Sequence, residues 1–441
     1  MSTRGEPEML PLADLFRAAA VALESEAVME GPPRDLLARL DYLDDARDQA
    51  PHRAALLRAA SGFNRIFTLA EANAPGLFAC GAEVDPYRVG VRGAPLGSVS
   101  GTGLTFRQAF ESCVGEGVEY LSRFATNEDA VARLPAEQAL AGASSASREL
   151  WDNLQPYRRD RSSSMTAWTI AADLADGKPV YLPADICFRR SADDRDMEPP
   201  WPLSIGCGAG QDHLTATLHG LLELIERDAV ALWWRGGRRA RLPPVEIGAS
   251  VLARLRRGET RRRTWFLDVT NDSRVPVVVA ASCDDDGFGL CRGFAARPTL
   301  AGAAEAAARE MAQMELAHRI ASAKRAERGE AALNEVDQQH LRRFTTVNVT
   351  RTLALQPLAP PSPPCDLPAT DALTALAEVR QRLAAIGLAP CALNLTRAAF
   401  GIPVVRVICP GLELGLTAPP GPRLRAAAET SGVDPADAMP L

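Results

Sequence analysis

From Leu214 to Trp234 the chain runs without proline, and apolar side chains surround almost the whole helical circumference: Leu218, Leu221, Leu222, Leu224, Ile225, Ala229, Val230 and Leu232. This pattern predicts a long helix that is largely buried. Its polar exceptions are spaced rather than scattered. His219, Glu223 and Glu226 stand at i, i+4 and i+7, so an imidazole and two carboxylates share one face, with Arg227 beside them. Gly206, Gly208 and Gly210 lead into the helix and permit tight backbone turns. The pattern occurs a second time upstream. Within Gly101 to Phe124, an apolar helix that follows Gly101 and Gly103 carries Ser112, Glu116 and Glu119 at the same spacing.

Around these two helices the periodicity predicts a mixed chain. Leu10 to Leu69 reads as helical, with Pro32 and Pro33 as a start signal, and residues 1–10 read as frayed. We set residues 1–74 apart as a helical N-terminal region and 75–441 as the main domain. The helical region is expected to pack against that domain, with recruitment of a peptide as the other possibility. Val84 to Val99 alternates like strands, Ala125 to Arg161 reads as short helices and exposed loop, and Ala167 to Phe188 reads as a hairpin about Asp176-Gly177. Arg262 to Val269, Val275 to Ser282 and Gly287 to Phe294 are predicted strands. Leu300 to Arg325 is a third long helix, rich in Ala and Glu. Leu355 to Pro368 is proline-rich and expected to be extended, Thr370 to Ile386 helical, and Pro403 to Cys409 a buried strand. Strand pairs mixed with long helices predict an α+β fold, β-sheets covered by the three long helices. The chain has no GxxxxGK[ST] and no GxGxxG after a strand, which counts against P-loop and dinucleotide folds.

Composition narrows the compartment. With 46% hydrophobic and 24% charged residues in 441, the chain has ample material for one large core or two ordinary ones. A net charge of -6 provides no basic footprint for nucleic acid, and the cluster Arg254 to Arg263 is expected to be a solvated helix end or loop. The nine cysteines lie singly, without CxxC or zinc spacing, and no stretch is long and apolar enough to span a bilayer. A reducing cytoplasm is therefore the expected location. Cys207, inside the glycine turn, is read as a small adaptable residue rather than a nucleophile.

A single ExxER on a helix is ordinarily a solvated face with ion pairs. Two such stripes on buried helices repel unless a cation lies between them. Hard oxygen ligands favour Mg2+, which is usually bound together with substrate phosphates, so the pair points to a Mg-nucleotide site.

At these residues the sequence resembles the YcaO family over roughly Tyr87 to Glu413. Ser100, Gly101, Gly103, Ser112, Glu116 and Glu119 match the family's SGKGLxxxxAxxSxxxExxER. Ser204, Gly206, Gly210, His219, Gly220, Glu223, Glu226, Arg227 and Asp228 match SNGLAAGNTxxEAxxHGLxELIERDA, and LTRAAFGIPVVRVICPGLE, ending at Glu413, matches TRPDIGIPVVRVIVPGLE. The resemblance implies an ATP-binding fold in which Glu116, Glu119, Glu223 and Glu226 hold Mg2+, while Ser112, Gln211, Arg227 and, from the third helix, Glu310 contact the nucleotide. It further implies ATP-dependent phosphorylation of a backbone amide in a ribosomal precursor peptide. An azoline results when a substrate side chain attacks, and a thioamide when external sulfide does. A TfuA-like or ubiquitin-activating-like partner and a homodimer are the implied associations. His219 is the candidate general base.

The chain departs from the family pattern at several positions, among them Gln211 for an Asn, Thr215 for an acidic residue and four that alter charge near the phosphates. Thr102 replaces Lys, Tyr120, Ala306 and Glu315 replace Arg, and each change removes a positive charge expected near the triphosphate. Arg123 and Arg309 stand at neighbouring positions and are candidates to compensate. Asn394 replaces an Asp, and the tail ends ADAMPL without the PxPxP of azoline-forming members. These departures leave a second reading, a nucleotide-binding accessory protein that supports a separate modifying enzyme such as a methylthiotransferase.

Overall fold

The computed structural model describes residues 11–25, 30–43, 49–358, 365–415 and 418–438. Helices α1 (Leu12–Glu24), α2 (Pro32–Arg39) and α3 (Ala50–Ala60) lead to strands β1 (Arg65–Leu69), β2 (Phe78–Val84) and β3 (Gly97–Gly103), and then to the first acidic helix, α4 (Phe106–Ser122). Strand β4 (Ala132–Pro135), helices α5 (Ala136–Ala139) and α6 (Ser145–Leu154), the hairpin β5 (Met165–Asp173) and β6 (Pro179–Pro183), helix α7 (Ala184–Cys187) and strand β7 (Cys207–Ala209) follow. They bring the chain to the second acidic helix, α8 (His213–Trp234). Next come α9 (Val245–Arg256), β8 (Arg263–Asp268), β9 (Val277–Cys283), β10 (Cys291–Ala296) and the third long helix, α10 (Leu300–Arg328). Helices α11 (Glu335–Thr346) and α12 (Ala372–Ala385), strands β11 (Cys391–Asn394) and β12 (Val404–Ile408), and α13 (Pro422–Ser431) complete the order.

The predicted α+β architecture is the one found, but the sheet layer is divided in three. The sheets run β1-β2-β3, β10-β9-β8 and β4-β5-β11-β12-β7 with β6 beside β5, and all paired strands in them are antiparallel. Each long helix covers strands beside it: α4 lies on β3 and β2, α8 on β12 and β7, and α10 on β10 and β9. Leu221, Leu224 and Ile225 of α8 are at most 1% exposed, and each such side chain contributes roughly 1.5–3 kcal/mol through burial.

Several elements differ from expectation. The segment before Leu69 does not stay helical, because α3 ends at Ala60 and β1 pairs with β2, Arg65 opposite Glu83. Ile66, Phe67 and Thr68 suit a half-buried pleated surface, and that tertiary pairing overrides the helical periodicity. Between Val84 and Val99 only the ends are strand. The Asp85 side chain accepts a hydrogen bond from the Tyr87 amide and starts a 3-10 turn, Pro86–Val89. The Asp176-Gly177 hairpin forms as predicted, with Gly177 at φ +72°. Part of the proline-rich segment, 359–364, lies outside the described residues, as do the frayed start and the last three residues of the tail.

Helices α1 and α2 do not stand apart. Phe16, Ala19, Leu37 and Leu40 share one apolar core with Phe110, Cys113 and Val114 of α4, and the Phe16 and Phe110 rings stack at 5.6 Å.

The arginine cluster is a correction in part: Arg254, Arg257, Arg261 and Arg263 are exposed around the end of α9 and the approach to β8, as expected, but two members are not. Arg256 and Arg262 are 5% and 8% exposed rather than solvated, and both close on Glu315 of α10, itself 2% exposed. Arg256 forms a two-armed pair with Glu315 at 2.8 and 2.8 Å, and Arg262 reaches it at 3.1 Å while also bonding Asp284 at 2.7 Å. A carboxylate buried between two guanidinium groups is a bracing device, so Glu315 ties α9 and the approach to β8 onto α10.

Candidate functional site

Three strand-to-helix units build the site, one more than the sequence pattern showed. Thr105, Asp212 and Thr299 cap α4, α8 and α10, each accepting a backbone N–H of the first turn. About three turns further on, each helix presents a carboxylate on the side facing its own preceding strand. Glu116 accepts from the Ser100 amide at 3.1 Å, Glu223 from the Gly206 amide at 3.0 Å, and Glu310 from the Phe294 amide at 2.8 Å. The close approach behind these bonds requires glycine. A Cβ at Gly101, Gly208 or Gly293 would collide with the backbone of α4, α8 or α10 respectively. The next turn of each helix carries Glu119, Glu226 and Gln313. Glu119 accepts from the Ala209 amide at 2.6 Å, and Gln313 donates to the Ser100 hydroxyl at 2.8 Å, so each cross-links two units.

The three units surround one cavity of about 690 Å³. All the residues singled out from the sequence line it: Ser112, Glu116, Glu119, Gln211, His219, Glu223, Glu226, Arg227 and Glu310. Sequence reasoning missed further lining residues. Arg297 and Arg107 add positive charge, and His52 and Arg53 of α3 form part of the wall. The third unit had a legible signal, since Thr299 precedes Glu310 by the same interval as Asp212 precedes Glu223.

The four charge-altering departures from the family pattern separate. Thr102 and Ala306 line this cavity, whereas Tyr120 and Glu315 do not, so only the first two changes bear on charge there. Arg309 lines the cavity and donates to the Thr102 carbonyl at 2.8 Å, as one of the two candidate compensating residues. Arg123, the other, lies one turn beyond Glu119 on the same face of α4, where its charge opposes the rise of Glu119 and Glu116, but it lines a different cavity.

Electrostatics follow from burial. Enclosure pushes the Glu119 carboxyl up to about 8, against the Ala209 amide, with Glu223 and Glu116 adding to the rise. Enclosure likewise takes Glu226 to about 8, opposed by Arg227 and reinforced by Glu310 and Glu223. Glu116 is raised by the same cause. Burial works against the charge of Arg227, but Glu226, Glu223 and Glu310 outweigh it and hold the guanidinium ionised. His219 is reached by solvent through the cavity yet enclosed by protein on most sides, and that enclosure lowers its pKa. Its Nδ1 lies 2.8 Å from the Ala209 carbonyl oxygen, which only accepts. The proton therefore sits on Nδ1, and Nε2 carries a free lone pair.

The third matched segment is chiefly bracing. Arg397 is held by Asp129 at 2.8 Å and by the Ser122 and Phe124 carbonyls, and Glu413 accepts the Gly421 and Leu424 amides. Arg406 bonds the Leu203 carbonyl and lies 3.4 Å from the Cys207 sulfur, which is buried as a small packing residue.

The family model described as YcaO cyclodehydratase, ATP- and Mg2+-binding, matches residues 100–413. The chain belongs to the YcaO family. Solved structures agree in fold. A heterocyclase in complex with substrate and cofactor superposes with TM-score 0.63 at 19% identity, covering 90% of this chain and 55% of the other. YcaO from Methanopyrus kandleri bound with AMPPCP and Mg2+ gives 0.55 at 21%, covering 82% and 88%. The E. coli microcin synthetase McbBCD complex with pro-MccB17 bound gives 0.58 at 15%, covering 79% and 88%. At these identities the likeness is one of fold. Among curated proteins, an uncharacterized protein in the tfuA 3' region of Rhizobium leguminosarum bv. trifolii is 31% identical over 121 residues, 26% of this chain and 28% of that protein. This YcaO protein thus aligns to little more than a quarter of that curated relative and to just over half of the heterocyclase. Among the described residues no helix is long and apolar enough to cross a membrane.

The donor set fits Mg2+ held together with phosphates better than a resident metal. One oxygen of Glu116, Glu119 and Glu310 is occupied by a backbone amide, leaving the other for the cavity. Among the described residues no three His, Cys, Asp or Glu side chains are gathered closely enough to hold a metal alone. Mg2+ typically takes one or two carboxylates and completes its shell from phosphate and water.

Proposed function

We propose that this YcaO protein uses Mg-ATP to phosphorylate a backbone amide oxygen of a ribosomally made peptide. The observation that carries the reading is the convergence of three strand-anchored helices, each aiming carboxylates into one cavity that also holds Arg227, Arg297 and Arg309. Glu116, Glu119, Glu223 and Glu226 hold Mg2+, which neutralises phosphate charge when bound. Arg227, Arg297 and Arg309 contact the phosphates, and Ser112, Gln211 and Glu310 orient the nucleotide. The partial identity with the protein of the tfuA 3' region supports the thioamide branch and a TfuA-like partner. In that branch hydrosulfide adds to the amide carbon, and the amide oxygen then attacks the γ-phosphorus, with ADP leaving. Expulsion of phosphate, with loss of the S–H proton, closes C=S. His219 Nε2 is the acceptor for that proton.

Phosphate release from ATP, measured with and without a candidate peptide, separates this reading from that of a non-catalytic accessory. His219→Gln is expected to keep the Mg-ATP melting shift and lose about 10²–10⁴-fold in peptide-dependent phosphate release. Unchanged turnover would remove His219 from the mechanism.

Calorimetry is expected to show ATP binding only with Mg2+ present and only weak binding of Mg2+ alone. Equal affinity for ATP with and without the metal would sink the ligand assignment. Because Glu119 and Glu226 titrate near 8, Mg-ATP binding should tighten as pH rises from about 6 to 8.5 and release protons, making the measured enthalpy depend on the buffer. The sign for the apo protein is opposite. These carboxyls bind protons more tightly folded than unfolded, so their contribution is full below the ordinary carboxylate range and is lost as pH rises through about 8.

A further inference from the structure

A second cavity, of about 340 Å³, lies beyond Glu119 toward the C-terminal end of α4 and is lined by Tyr120, Arg123, Arg189 and Arg195. Its charges do not balance internally. Asp185, also in the wall, is used by Arg190 at 3.1 Å and by the Asp196 and Met197 amides. Glu198 is used by Arg159 and by Arg195 at 3.1 Å. Arg123 and Arg189 are left over: among the described residues neither guanidinium has a hydrogen bond or an ion pair. The charge of Arg123 is felt by Glu119 and Glu116, but neither reaches it as an ion pair. The two arginines are joined at the backbone, where the Arg189 amide donates to the Arg123 carbonyl at 2.6 Å, and both line this cavity. Each guanidinium lies over an aromatic face, Arg123 over Tyr120 at 5.2 Å and Arg189 over Phe124 at 5.3 Å, which leaves its N–H edge for a ligand.

Two cations that line one cavity without an ion-pair partner repel, and an oxyanion between them relieves the repulsion. Beside these charged groups and Ser204, the wall has a stiff apolar part made by Phe188, Pro199, Pro202 and Leu203. A free inorganic anion has no use for such a wall. We propose that this cavity binds an acidic side chain of the peptide, its carboxylate between Arg123 and Arg189 and the neighbouring residue against the prolines. The proposal rests on a peptide substrate as read above, and it adds an acidic anchor residue to that substrate.

The probes are acetyl-Ala-Glu-Pro-Glu-Ala-amide, its Gln counterpart and inorganic phosphate, titrated calorimetrically into the full chain. The acidic peptide is expected to bind and to weaken as salt is raised. The Gln peptide should not bind measurably. Arg123→Gln and Arg189→Gln should each weaken the acidic peptide by about tenfold or more, as loss of a charged hydrogen bond does. Arg189 is exposed, so its variant reports on binding rather than folding. Equal binding by parent and both variants, or none by the parent, overturns the proposal. Phosphate binding as tight as the acidic peptide also overturns it, in favour of a free-anion site. Melting shifts with Mg-ATP on the same preparations keep the two readings apart. Peptide binding lost with the shift intact localises the effect to this cavity. A parent without any Mg-ATP shift sinks the nucleotide reading and leaves this one standing.

Discussion

Glu223→Gln is expected to abolish most of the melting shift given by Mg-ATP while leaving the apo protein as stable as the parent or more so. The amide oxygen of Gln still accepts the Gly206 N–H, so the strand anchor survives. The variant lacks the negative charge that a hard cation requires and that Glu119 and Glu226 oppose in the empty cavity. For a ligand at a hundred times its Kd, native-state binding is worth about 2.7 kcal/mol of apparent stability, and this is the quantity at stake. Glu116→Gln, anchored to the Ser100 amide in the equivalent way, should behave alike. An ordinary surface glutamate would instead change stability by about half a kcal/mol or less, with the shift untouched. Parent-like shifts in both variants would make the carboxylates structural and strip the enzyme reading of its residue-level support.

Glu315→Ala should have the largest effect on stability itself, about 3–5 kcal/mol, because it leaves Arg256 buried without its counter-charge and Arg262 with Asp284 alone. Glu315→Arg, which puts the family residue in place, should be worse still, since it sets three guanidinium groups together. Denaturant titration measures both as a lower midpoint at unchanged slope. A loss under about 1 kcal/mol for the alanine variant would show that the triad is not a brace. Its pH behaviour runs opposite to that of the cavity carboxyls. Burial tends to raise Glu315, but the Arg256 hydrogen bonds and the charges of Arg256 and Arg262 outweigh it and hold its pKa low. Its contribution is therefore present above the ordinary carboxylate range and lost as pH falls through the depressed value.

Much of the site was legible in the sequence because its first layer is local. Glycine spacing, a capping residue and a carboxylate three turns into an apolar helix are properties of one continuous stretch, so Glu116, Glu119, Glu223 and Glu226 were identifiable without coordinates. The long helices and most strands were legible for the same reason. The reading failed where a distant partner decided the outcome. Arg65 to Leu69 has a helical neighbourhood and becomes a strand only because β2 offers it an edge. Arg256 and Arg262 look like surface charge until Glu315 closes on them.

Helical register determines which residues share a face, and the sequence alone therefore established the acidic stripes, the glycine approaches and the α+β class. What that face meets is set by strand pairing between distant segments, such as Gly208 opposite Val405, and by the packing of α4, α8 and α10 around one cavity. Only the tertiary structure decided that Arg309 lines the cavity of the carboxylates and Arg123 a separate one, and that the changes at Tyr120 and Glu315 lie outside the first cavity while those at Thr102 and Ala306 lie within it. Arg123 shares the helical face of Glu116 and Glu119, so register alone does not separate them; what packs against each turn of α4 does.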